Sequence, residues 1–140
     1  MTLIIDAAPL VALARPDEPR RTAILDALRT ESDALVIPAP VTAEIDYMLG
    51  QRFGRPARVA FLRDLAAGRF DVVCLEREDY ETIGELEARY EDLELGLSDC
   101  AVIALARRYE TNRIVSFDER HFRAVTPLQG GAFTILPSDS

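Results

Sequence analysis

Carboxylates close or open four of the apolar runs in this chain. Asp6 follows Leu3-Ile4-Ile5, Glu44 lies within Val41-Thr42-Ala43-Glu44-Ile45, Asp99 heads Cys100-Ala101-Val102-Ile103-Ala104, and Asp118 follows Ile114-Val115-Ser116-Phe117. Side chains at strand and helix ends of an α/β chain can converge on one point. Two unit charges about 4 Å apart repel by roughly 4 kcal/mol at an effective dielectric of about 20, so four carboxylates persist together only with a cation. Hard carboxylate oxygens suit Mg²⁺ or Mn²⁺, and a single histidine with two cysteines is a poor zinc set.

Asp99 is the most telling position. Val102, Ile103 and Ala106 follow it at three, four and seven residues, so its carboxylate shares the buried stripe of its own helix. The competing reading is a dipole-favoured acid in a first helical turn, beside Ser98 as N-cap. Asp6 alone would read as an N-cap, Glu44 as a boundary residue of a helix, and Asp118 as a turn former. Asp92 and Glu94 read as solvated loop acids, with an outer-shell role as the alternative. His121 is placed to touch a phosphate, but without a cysteine or serine partner it makes no nucleophilic triad, and no G-x-S-x-G turn is present.

These residues need elements to position them. Strands are expected at Leu3 to Ile5, Leu35 to Ile37, Asp71 to Leu75, Arg113 to Phe117 and Phe133 to Leu136. Helices are expected through Pro9 to Leu13 and at Pro19 to Arg29, Val41 to Gly50, Pro56 to Ala67, Glu78 to Tyr90 and Asp99 to Arg108, with a helical turn from Glu119 to Arg123. Such alternation implies an α/β fold, a three-layer α/β/α sandwich around a central, mainly parallel sheet with right-handed crossovers. The functional crevice of such a sheet lies beyond the carboxyl ends of its strands, where Asp6 and Asp118 fall.

The 140 residues suit a single domain, 1–140, and no linker, repeat or low-complexity tract divides them. Without a signal-like leader or a span-length apolar run, a soluble, cytoplasmic protein with no membrane association is expected. Cys74 and Cys100 read as two buried thiols. A net charge of -8 argues against a nonspecific nucleic-acid coat, though not against an enzyme acting on nucleic acid. All sixteen basic residues are arginines, clustered at Arg20 and Arg21, at Arg52, Arg55 and Arg58, at Arg107 and Arg108, and at Arg120 and Arg123. Most read as solvated or salt-bridged, although arginine suits bidentate phosphate contacts.

Four segments in this order resemble the PIN-domain ribonucleases, and most closely the VapC toxins of toxin–antitoxin pairs: Ile4 to Leu13, Val41 to Tyr47, Leu95 to Ala106, and Ile114 to Phe122. The resemblance implies a PIN-like fold and a Mg²⁺-dependent (or Mn²⁺-dependent) endoribonuclease that cuts structured tRNA or rRNA. Asp6 and Asp99 would bind the metal, with Glu44 and Asp118 completing the catalytic set. It also implies an RNA substrate, a cognate VapB-like antitoxin and a homodimer. The chain departs from the family at Ala8, where a hydroxyl residue is frequent.

A receiver domain of similar size would need a lysine that this chain lacks, and a haloacid-dehalogenase phosphatase would need a carboxylate where Ala8 stands. A catalytically silent PIN-like module that binds RNA or protein is the remaining alternative. Leu10, Leu13 and Leu28 could serve a dimer or antitoxin surface, or simply the core.

Overall fold

The computed structural model describes residues 1–30 and 34–140. Five strands form one sheet: β1 (Thr2–Ile5), β2 (Ala34–Pro38), β3 (Asp71–Val73), β4 (Arg113–Val115) and β5 (Thr134–Leu136). Their order is β3-β2-β1-β4-β5, and every neighbouring pair is parallel. Short apolar strands separated by helices leave little choice, because a parallel partner can be reached only through a crossover.

Period-two alternation divides the side chains of each strand between two cores. Ile4, Val36, Ile114 and Ile135 join one cluster, whereas Leu3, Ile5, Ile37, Val115 and Leu136 join the other. The first face is covered by α5 (Arg77–Arg89) and α6 (Leu97–Arg108). On the second lie α1 (Ala7–Ala12), α2 (Arg21–Thr30), α3 (Ala39–Phe53) and α4 (Arg55–Ala66). The result is the three-layer sandwich, with α7 (Glu119–Ala124) following β4. Leu10 is buried in the second cluster, and Leu13 and Leu28 pack against it partly buried, with Leu10 and Leu13 also lining an open apolar cavity.

Several boundaries differ from the sequence reading, each for a local reason. Ser98 is not the N-cap of α6; that position belongs to Gly96, two residues earlier. Helix α5 starts at Arg77 through a reciprocal capping box, in which the Glu76 N–H donates to Asp79 Oδ2 at 2.7 Å. Strand β3 stops at Val73, so Cys74 is exposed rather than buried, while Cys100 is buried as expected. Strand β4 stops at Val115, although the Ser116 N–H still donates to the Leu136 carbonyl at 3.0 Å before the chain turns away.

Helix α6 is anchored on the α5 side by polar contacts at its C-terminal end. Arg108 pairs with the nearly buried Asp79, and Arg107 donates to the Thr82 hydroxyl at 2.9 Å. At its other end α6 carries Asp99 toward the carboxyl edge of the sheet. Among the described residues no helix is long and apolar enough to cross a membrane.

Candidate functional site

The sheet order reverses at β1, whose successor β2 lies on one side and β4 on the other. Beyond the carboxyl ends of β1 and β4 the chains diverge, opening the crevice that such a switch point creates. A cavity of about 600 Å³ occupies this place, and Asp6, Glu44, Asp99 and Asp118 all line it. The four acids come from four different parts of the chain: the end of β1, the middle of α3, the first turn of α6 and the turn after β4.

Asp6 both ends β1 and caps α1. Its Oδ1 accepts from the Ala7 N–H at 2.9 Å, and its Oδ2 accepts from the Ser116 hydroxyl at 2.8 Å. Ser116 Oγ in turn accepts from the Asp118 N–H at 2.9 Å. Asp118 caps α7 by accepting from the His121 N–H at 3.0 Å. The His121 ring then folds back, placing Nδ1 2.7 Å from Asp118 Oδ2 and 3.0 Å from Asp99 Oδ2. One continuous polar chain therefore links Asp6 to Asp99. Glu44 stands apart from it, exposed at the rim.

Ser116 escapes a reading of the sequence, and His121 takes a different place from the one expected. Ser116 is fully buried and gives Asp6 a hydroxyl partner from β4's side, on a chain with no hydroxyl at Ala8. The signal for it was a lone polar residue between Val115 and Phe117. His121, expected to meet a phosphate, instead faces two carboxylates. Its three-residue separation from Asp118 on a helical turn sets them side by side. While Asp99 and Asp118 are ionised they only accept, so it is then Nδ1 that carries the proton directed at them. Asp92 and Glu94 are exposed and lie outside the cavity lining, as solvated loop acids.

The electrostatics of the cavity favour a cation. Burial pushes the Asp6 carboxyl up to about 6, against hydrogen bonds from Ser116 and Ala7, and the charges of Asp99 and Glu44 push it the same way. Burial also raises the Asp99 carboxyl, with repulsion from Asp118 adding to it and His121 opposing it. Ligand atoms of Asp99, Asp118 and His121 lie within 4.8 Å of one another. Asp6 lies outside that group, tied to Ala7 and Ser116, but its carboxylate opens on the same cavity. Carboxylate oxygens suit a hard divalent ion. No thiol competes, because burial holds Cys100 protonated to about 11.

With this geometry in place, comparisons with known proteins agree. The PIN-domain model matches residues 3–126. Ribonuclease VapC26 of Mycobacterium tuberculosis is 36% identical over 135 residues, covering 96% of this chain and 100% of the relative. In fold, the chain is similar to VapC20 of Mycobacterium tuberculosis, described as a Sarcin-Ricin loop cleaving toxin. There the TM-score is 0.75 at 19% identity, covering 84% of this chain and 90% of the other. It is also similar to VapBC2 of Rickettsia felis, solved on a promoter DNA fragment, with a TM-score of 0.71 at 16% identity over 96% of this chain and 98% of that one. The family match over residues 3–126, together with a 36% identical relative that spans 96% of the chain, makes this chain a member of the PIN-domain family, of the VapC type.

Proposed function

We propose that this chain is a divalent-metal-dependent endoribonuclease, the toxin of a toxin–antitoxin pair, with Asp6, Glu44, Asp99 and Asp118 as its catalytic acids. The observation that carries the reading is the convergence of these four carboxylates on one cavity, where a neutralising cation offsets the burial and mutual repulsion that raise Asp6 and Asp99. Asp6 and Asp99 would hold Mg²⁺ or Mn²⁺, with Asp118 beside them. Bound there, the ion supplies an activated oxygen nucleophile and charge neutralisation on the phosphoryl oxygens.

The chain's own residues supply the rest. Ser116 orients the Asp6 carboxylate and, through the Asp118 N–H, the start of α7. His121 holds Asp99 and Asp118 side by side by donating from Nδ1. Glu44, exposed at the rim, is free to orient water over the scissile phosphate. The Ser116 hydroxyl also weakens the alternative of a silent binding module, which drew on the missing hydroxyl at Ala8.

The relative named as a VapC ribonuclease supports RNA as substrate, and the structural neighbour described as cleaving the Sarcin-Ricin loop makes structured rRNA or tRNA the first choice. A neighbour solved as a VapBC pair supports a cognate VapB-like antitoxin as partner.

The test is direct. Purified protein incubated with tRNA and with an rRNA stem-loop is expected to cleave in Mg²⁺ or Mn²⁺ and to stop in EDTA. Cleavage that persists in EDTA removes the metal, and no cleavage of any RNA removes the enzyme. Ser116→Ala is expected to lower the rate by about 10- to 100-fold at an unchanged melting temperature within a few degrees, as loss of a ligand-orienting hydrogen bond does. A parental rate in that variant would show that Asp6 needs no such support.

A further inference from the structure

A second cavity, of about 340 Å³, adjoins the acidic one and shares Ala8 and Phe117 with it. Its lining includes Arg15, Glu18, Arg20 and Arg52. On a chain with 24 acidic and 16 basic residues, three guanidinium groups around one opening invert the local charge.

The three arginines are held differently. Arg20 is fixed in plane: its Nε donates to Glu18 Oε1 at 2.7 Å, and its guanidinium carbon lies 3.6 Å from the centroid of the Phe117 ring. Glu18 is only 8% exposed, so a sheltered carboxylate anchors this orientation. The anchor uses one of five guanidinium donors. Arg52, in the last turn of α3, is exposed and has no carboxylate partner among the described residues. Arg15 meets Asp17 at 3.5 Å with both side chains largely in water, a pairing that holds it weakly.

Held between Glu18 and Phe117, the Arg20 guanidinium keeps its place while most of its donors have no partner among the described residues. A polyanion crossing the acidic cavity needs cations beside it, since four carboxylates repel its phosphates. Paired guanidinium donors match phosphate oxygens in geometry as well as charge.

We propose that this arginine-lined cavity is a subsite for an RNA backbone phosphate flanking the one held at the acidic cavity, with Arg20 and Arg52 as its ligands and Arg15 at its edge. The subsite rests on the endoribonuclease reading and adds the path of the strand, which runs from Asp6 across the Ala8–Phe117 wall toward the end of α3.

Binding of a labelled single-stranded RNA to full-length Asp99→Asn protein, read by fluorescence anisotropy over a series of KCl concentrations, tests it. Arg52→Gln in that background is expected to weaken binding by about tenfold and to reduce the slope of log affinity against log salt by about 0.7, the loss of one phosphate contact. Arg77→Gln, which removes the same charge from α5 in the opposite layer, should change neither. With Asp99 intact, Arg52→Gln should raise KM by a similar factor and leave kcat within about twofold. Arg20→Gln should behave likewise; if it lowers the melting temperature by stranding Glu18, the exposed Arg52 decides the matter. Unchanged affinity, slope and KM in a folded Arg52→Gln protein would overturn the subsite while parental cleavage leaves the nuclease standing. A parent that neither binds nor cuts RNA would take both down.

Discussion

Asp99→Asn is expected to reduce RNA cleavage by about 10³-fold, on the scale seen when a group stabilising transition-state charge is removed. The same variant should melt at or above the parental temperature in EDTA. Both effects have one origin. Asp99 lies in the first turn of a helix whose next seven residues are buried, so its carboxylate is carried into the cavity by packing that has nothing to do with charge. There, burial and Asp118 make its ionised form unfavourable without a cation. Asn keeps the shape and an oxygen that accepts from His121 Nδ1, yet brings no charge. Measured together, rate and melting temperature separate the chemistry from the fold: near-parental cleavage would end the assignment of Asp99, and a large fall in melting temperature would mean that its charge stabilises the fold.

The second large effect concerns pH. Between about pH 4 and pH 6 the metal-free protein is expected to lose stability as pH rises. Folded Asp6 keeps its proton up to about 6, whereas the unfolded chain releases it near 3.8, so the folded state holds more protons throughout that window. Each pKa unit is worth about 1.4 kcal/mol, which puts the loss at about 3 kcal/mol, or roughly 10 °C in melting temperature. Asp99 pushes in the same direction. Asp139, held low by Arg123 and the Ile135 N–H, works oppositely, but its contribution disappears only on acidification through and below the ordinary carboxylate range.

A bound divalent ion should cancel the loss, because it stabilises the ionised carboxylates of the folded state alone. Thermal melts in EDTA and in Mn²⁺, near pH 4 and near pH 7, check this. Mn²⁺ should raise the melting temperature near pH 7 and have little effect near pH 4, and Asp6→Asn should flatten the EDTA profile. A level profile for the parent in EDTA would mean that Asp6 is not held in its uncharged form.

Such stored repulsion is visible in the sequence only as residue types at the ends of apolar runs. Asp6 after Leu3-Ile4-Ile5 and Asp118 soon after Ile114-Val115 could be placed at strand ends because alternation and run length are local properties. The layered architecture was legible for the same reason, since short apolar strands alternating with helices admit few arrangements. Ser98 misled as an N-cap because capping preference is weak beside the packing that starts α6 after Gly96. Cys74 misled because an apolar run does not say where its strand will leave the sheet.

Local pattern thus specified the elements, the parallel sheet and the acids at its carboxyl edge, since backbone period and burial act over a few residues. Long-range contact alone settled that Ser116 would bridge Asp6 to Asp118, that His121 would turn onto Asp99, and that Arg20 would lie on Phe117. Those pairings join residues 110, 22 and 97 positions apart in sequence at the edge where β1 and β4 part. No nearest-neighbour preference encodes them, because their geometry exists only once the sheet order is in place.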